Sequence, residues 1–435
     1  MTNQAFASVW AMAAAFGVYA CMYGLRKPFT AGTYEHLGMG VGFKTWMVTI
    51  QVLGYTLSKI IGIKFISEMA AARRAVTLLC LVGVAEVALI LFALTPIPWN
   101  VGWLFLNGLS LGMVFGLVLG FLEGRQLTEA LIAGLCTSFI LADGFSKSVG
   151  AYLLQAGLVD LWMPAVAGGL FLLPLAGFVW MLQVIPVPTN GDVIARSERP
   201  PMTRVERQLL FRRFAPGLVS IALSYVLVTI LRSIRADFAP ELWSVLGASG
   251  QPGIYAKSEV WVALGVLGAN GLIVYVRDNR CAFFLSLGIS AGGLGLIGVA
   301  LVGQTMAVLG PFEFMVLLGF GMYLPYVAVH TTVFERLLAM TRQRGNLGYL
   351  MYLADSMGYL GYAALMVGRE VWPGLRPDGV HLLNFFKLVS WIVSGAAAFA
   401  LAFAAIWFLV SPAARPSPRS VPVPDDGPLV PNSVG

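Results

Sequence analysis

Two arginines occupy matching places in a short pattern that occurs twice. Tyr19-Ala-Cys-Met-Tyr-Gly-Leu-Arg26 and Tyr225-Val-Leu-Val-Thr-Ile-Leu-Arg232 share their Tyr, Leu and Arg positions, and each closes an apolar run. On a helix, Tyr19, Tyr23 and Arg26 are spaced i, i+4, i+7, so two phenols and a guanidinium share one face; Tyr225, Arg232 and Arg235 fall together likewise. A guanidinium fork can donate two parallel hydrogen bonds to a phosphate or carboxylate, and phenol hydroxyls add neutral donors. The chemistry within reach is the holding of an oxyanion. Lys27, beside Arg26, is a further candidate, although a basic residue at a helix end also snorkels to lipid headgroups.

Other ionisable residues fall inside apolar runs, where a charge costs roughly 2.5–3.5 kcal/mol on insertion scales and normally faces a cavity or a partner. Lys59 stands one turn after Tyr55 and points either to the same cavity or toward the cytoplasm. Lys147 stands one turn after Asp143, the spacing of an intrahelical ion pair. Asp143 and Asp355 have two candidate roles: salt bridges that close a cavity, or proton carriers. His330 shares a face with Tyr323 and Tyr326 and could donate to an anion or titrate. Glu86 is mid-run with no charged neighbour a turn away, and His36 and His381 lie in expected loops.

The elements that must position these groups follow from composition. Hydrophobic residues make up 58% of the 435 and charged ones 11%, with mean hydropathy +0.81, far from the roughly 25% charge of soluble domains. Runs of spanning length occur at 5–25, 43–64, 75–95, 100–122, 129–155, 160–184, 214–236, 254–276, 281–302, 309–334, 345–367 and 383–410. The expected fold is an all-α membrane protein of twelve transmembrane helices. The first run leads into Arg26-Lys27-Pro28 without a small-residue cleavage site, so it reads as a retained helix. Most Lys and Arg outside the spans fall on the face that also carries both termini, which predicts cytoplasmic termini in a cell membrane, the inner one in a Gram-negative cell. That topology accounts for the net charge of +7, so nucleic acid is not needed as a partner. The four cysteines have neither metal-site nor disulfide-framework spacing, no cofactor or metal is expected, and a monomer is expected.

The repeat sets the domain organisation. Leu141-Ala142-Asp143 recurs as Leu353-Ala354-Asp355, and Glu123 before Arg125 recurs as Glu335 before Arg336. All matches fall in the order that pairs helix 1 with 7, 4 with 10 and 5 with 11. Parallel six-helix repeats are the internal symmetry of the major facilitator fold. The expected units are a six-helix half over 1–185, a Pro- and Arg-rich cytoplasmic linker over 186–213, a second half over 214–410 and a disordered tail over 411–435. Glycines at turn spacing, among them Gly112 and Gly358, read as close helix contacts. No His-Glu-x-x-His, phosphate-binding loop or Gly-x-Ser-x-Gly is present, so hydrolase and ATP-driven pump readings lack their chemistry and an enzyme is not expected.

Several stretches resemble one group within that superfamily, the organophosphate:phosphate antiporters, the family of the glycerol-3-phosphate transporter. They are Tyr19 to Phe29, Leu57-Ser-Lys-Ile60, Leu231-Arg232 with Asp237-Phe-Ala-Pro240, Val329-His330 with Glu335, and Met357-Gly-Tyr-Leu-Gly361. The resemblance implies that Arg26 and Arg232 bind a phosphoryl group, that Lys59 and His330 lie near the cavity, and that exchange proceeds by rocking of the halves. Where that family carries a fifth-helix histidine, this chain has Asp143. The leading expectation is a secondary transporter of a small organic anion, phosphorylated in the first instance, exchanged for inorganic phosphate. Two alternatives stay open: proton-coupled transport of another small solute through Asp143 or Asp355, and a non-transporting receptor or assembly partner. The expected binding residues are Arg26, Arg232, Tyr19, Tyr23, Lys27, Lys59, Tyr225, Arg235 and His330, with Asp143, Lys147 and Asp355 gating or carrying protons.

Overall fold

A computed structural model describes residues 4–34, 40–67, 69, 71–122, 128–185, 204–248, 250–341, 347–371 and 379–411. Glu123 and Arg125, most of the expected linker and nearly all of the expected tail lie outside the described residues. Within them the regular structure is helical, and it forms twelve rods. These are α1 (Gln4–Arg26), α2 (Gly40–Ser67), α3 (Arg74–Leu94), α4 (Val101–Leu122), α5 (Thr128–Gln155), α6 (Met163–Gln183), α7 (Arg204–Asp237), α8 (Ile254–Val274), α9 (Asn279–Thr305), α10 (Pro311–Thr341), α11 (Leu347–Val371) and α12 (Gly379–Val410). Seven of them, α3, α4, α6, α7, α9, α10 and α12, are long and apolar enough to cross a membrane on length and composition alone. Large apolar side chains such as Leu173, Phe399 and Leu264 face outward, as an apolar solvent requires.

The rods pack as two equivalent sets. In the first, α1 lies against α5 and α6, α4 against α2 and α3, and α3 against α6; in the second, α7 lies against α11 and α12, α10 against α8 and α9, and α9 against α12. Each pairing maps onto its counterpart by adding six to the helix number, which is the parallel repeat read from the sequence. The two sets meet where α2 packs on α11 and α5 on α8.

Small residues set how closely the rods approach. A Cβ at Gly108 would lie 2.1 Å from the Gln51 carbonyl oxygen, and one at Gly54 would lie 2.2 Å from that of Phe105. The α2 and α4 backbones therefore touch, a packing mode suited to a solvent as apolar as the side chains. The continuity of α4 is broken at Gly112–Met113, and α10 carries one π-helical turn, Val329–Val333, just after Pro325. Proline removes a backbone donor from the ladder, and the widened turn presents His330.

Candidate functional site

The end of α1 is fixed by its own orphan carbonyls. Pro28 cannot extend the helix, so the last carbonyls need outside donors. Gln51 Nε2 donates to the Arg26 carbonyl at 3.0 Å, Asn107 Nδ2 donates to that of Leu25 at 3.2 Å, and Gln51 Nε2 also donates to Asn107 Oδ1 at 2.8 Å. This knot between α1, α2 and α4 anchors the backbone from which the Arg26 side chain extends.

Arg26 and Arg232 are both buried, at 1% and 5% exposure. The Arg26 guanidinium carbon lies 3.7 Å from the Tyr55 ring centroid, 5.4 Å from that of Tyr359 and 5.7 Å from that of Tyr23. The Arg232 guanidinium carbon lies 4.4 Å from the Tyr326 ring and 5.7 Å from that of Tyr323, and its Nη2 donates to the Tyr359 hydroxyl at 3.3 Å. Among the described residues neither arginine has a carboxylate within ion-pair distance, and the Nε of each is buried without a hydrogen-bond partner. A cation–π contact is worth about 2 kcal/mol when desolvated, while the effective penalty for burying an ion is several kcal/mol. The tyrosines offset only part of the cost, and the geometry leaves room in the energetics for an anion.

The other buried cations are paired. Lys59 of α2 is bonded to Asp355 Oδ2 of α11, and the other Asp355 oxygen accepts from Tyr225 Oη at 2.7 Å. Tyr225 Oη lies 3.4 Å from His330 Nε2, and His330 Nδ1 lies 3.0 Å from the Tyr326 carbonyl. The carbonyl can only accept, so Nδ1 carries a proton. Tyr225 gives its single proton to Asp355, so toward His330 it can only accept, and only an imidazolium would supply a donor there.

Lys27 pairs with Asp237, whose second oxygen accepts from Tyr362 Oη at 2.9 Å. Lys44 donates to both oxygens of Glu241, at 2.7 and 2.9 Å, and to the Thr30 carbonyl at 2.7 Å. Both pairs join α1–α2 to the stretch around the short helix Ala239–Val245 that follows α7.

Of the sequence candidates, Arg26, Arg232, Tyr23, Lys59, Tyr225, His330 and Asp355 come together at the junction of the halves. Tyr19 stands behind them, its ring 5.0 Å from Phe139 and its hydroxyl 3.3 Å from that of Tyr55. Lys27 is engaged with Asp237, Lys147 with Asp143, and Arg235 with Glu259 at 2.7 Å and the Met315 carbonyl at 2.9 Å. The sequence reading did not pick out Tyr359, though its place one turn after Asp355 on α11 is a legible signal. It also passed over Lys44, Glu241 and Glu259, whose partners lie on other helices. Glu86 lies against Gly168 of α6, where a Cβ would sit 2.2 Å from Oε2, and that oxygen has no partner among the described residues.

A profile described as a family of unknown function (DUF5690) matches residues 28–410. The chain belongs to the DUF5690 family. No curated protein matches the sequence. Among solved structures, a bacterial homolog of the human lysosomal transporter Spinster, in an inward-facing and unoccupied conformation, superimposes with a TM-score of 0.63 at 14% identity, over 95% of this chain and 99% of that one. The nucleoside transporter NupG gives 0.58 at 14% identity, over 92% and 100%. The proton:xylose symporter XylE of the major facilitator superfamily gives 0.61 at 14% identity, over 94% and 96%. At such identities the likeness is one of fold: this member of DUF5690 has the major facilitator fold.

Proposed function

We propose that this protein is a secondary active transporter of a small organic anion, working by alternating access. One observation carries the reading: two buried guanidiniums, one from each half, that have no carboxylate partner among the described residues. The anion class that suits them best is a phosphorylated or carboxylated metabolite, since a dianion would neutralise both forks. With both termini in the cytoplasm, the pairs Lys27–Asp237 and Lys44–Glu241 would close the outer end of the pathway. Exchange against inorganic phosphate follows from the resemblance to organophosphate antiporters and is the first mode to test. Protein reconstituted in phosphate-loaded liposomes is expected to take up phosphorylated or carboxylated solutes. Uptake that persists unchanged in folded Arg26→Ala and Arg232→Ala proteins removes the arginine site, and binding without flux makes the protein a receptor.

Proton coupling is the second reading, and one contrast favours Asp143 over Asp355 for it. Both Asp355 oxygens are engaged, by Lys59 and Tyr225. Asp143 gives one oxygen to Lys147 and keeps Oδ1 buried without a partner among the described residues.

A further inference from the structure

A second group of buried charges lies where α5 crosses α8, apart from the tyrosine-stacked arginines. Gly144 makes the crossing tight: a Cβ there would sit 2.5 Å from the Tyr255 carbonyl oxygen and 2.6 Å from Glu259 Cγ. The residue just before it is Asp143, so an acid from each half is brought to the same spot. Asp143 and Glu259 are 3% and 6% exposed. Each is held by a cation of its own half, Asp143 by Lys147 and Glu259 by Arg235, and each uses only one oxygen for it. Among the described residues, Asp143 Oδ1, Glu259 Oε2 and Arg235 Nε are all buried with no hydrogen-bond partner.

These groups line one cavity of about 10 Å³, together with Ser258 and Tyr255. That volume fits about one water. Two carboxylates facing one site share a proton readily, because both cannot keep full charge side by side at low dielectric. Two oxygens that only accept also need a donor between them. The lining side chains offer two unpartnered carboxylate oxygens and the hydroxyls of Ser258 and Tyr255 beside two cationic side chains, too few oxygens for a hard metal cation, which takes six or more.

We propose that Asp143 and Glu259 form a proton-binding site, in which one proton is held between Asp143 Oδ1 and Glu259 Oε2 and fastens α5 to α8. A hydronium delivers the proton and leaves as water, and the reverse step releases it. The titratable and charged groups facing the pair are Lys147 of α5, Arg235 of α7, Tyr255 of α8 and Tyr323 of α10, whose buried hydroxyl is also without a partner among the described residues. The charges of Lys27, from the end of α1, and of Arg232, on α7, also reach Asp143. The consequence rests on the alternating-access reading: as α5 and α8 belong to different halves, losing the proton loosens this seam and couples proton release to its opening.

The test is infrared titration of the full-length protein in lipid nanodiscs. The wild type is expected to show a protonated-carboxyl band that follows a one-proton curve, its protonated-to-ionised ratio changing about tenfold per pH unit. Glu259→Gln and Asp143→Asn should each abolish the band, and Glu259→Asp should shift its frequency while keeping it titratable. Arg26→Ala should leave it in place. A wild-type protein without the band, a band that survives both amide variants, or one displaced by sodium at constant pH overturns the proposal. The arginine reading is tested apart from this one: if phosphate still stabilises the Arg26→Ala and Arg232→Ala proteins against heat, the anion site falls while the carboxyl band stands.

Discussion

Arg26 and Arg232 come from opposite halves of the molecule and converge on a single tyrosine, Tyr359. Arg26 sits 5.4 Å from its ring and Arg232 donates to its hydroxyl at 3.3 Å. Two like charges approach one neutral residue, each without an anionic partner among the described residues. An anion entering between them would meet preset donors.

Removing either arginine therefore separates stability from binding. Arg232→Ala and Arg26→Ala delete a buried charge without orphaning a carboxylate, so the ligand-free proteins should melt no lower than the wild type. A hydrogen bond to a charged group is worth about 1.5–3 kcal/mol, so affinity for a stabilising anion should drop roughly 10- to 100-fold. Thermal-shift titrations with phosphate and phosphorylated solutes check both halves of this expectation. A large loss of stability in the ligand-free variants would mean that the guanidiniums already have their partners.

Tyrosine contacts should be graded by geometry. Tyr359→Phe keeps the ring near Arg26 and removes a hydroxyl that both arginines reach, a change of about 1 kcal/mol per bond lost. Tyr55→Leu removes the ring 3.7 Å from Arg26 and should cost about 2 kcal/mol. Chemical denaturation and anion titration of the two variants side by side give the order.

The Lys59–Asp355 bond predicts the opposite of the arginine result. Taking one partner from a buried pair leaves an uncompensated charge and costs about 3–5 kcal/mol, whereas replacing both by apolar residues is often neutral. Lys59→Met and Asp355→Leu should each lower the melting temperature, and the double variant should recover most of the loss. A double-mutant cycle measures the coupling; additive effects would show that the two side chains act independently.

At Gly108, even a methyl group meets the Gln51 carbonyl oxygen at 2.1 Å. Overpacking of this kind costs about 1–3 kcal/mol, and here it would push α2 from α4 and strain the Gln51–Asn107 knot that fixes the end of α1. Gly108→Ala should reduce both melting temperature and anion affinity. Gly83→Ala on α3, where a Cβ meets nothing within 4 Å, is the control and should change neither.

The helices were legible because lipid demands long apolar runs and nothing else in this chain resembles them. The doubled Tyr–Arg pattern marked both arginines, and the four-residue spacing of Asp143 and Lys147 marked an ion pair that forms within one helix. Pairings between helices left no such trace. Lys44 and Glu241, or Arg235 and Glu259, are brought together by the packing of rods, and no local spacing encodes that. The π turn that presents His330 begins four residues after Pro325, yet proline in a membrane helix has several outcomes, and sequence alone does not choose among them.

Among the described residues, the cross-half ion pairs Lys27–Asp237, Lys44–Glu241 and Lys59–Asp355 share one orientation. The amino-terminal half gives the cation each time, and the carboxyl-terminal half gives the acid. Two repeats with the same backbone plan have thus become unlike in polarity, one a plug and the other its socket. A pair of amino-terminal halves would set lysine against lysine and a pair of carboxyl-terminal halves acid against acid, so the charges that join the halves also dictate that each accepts only the other.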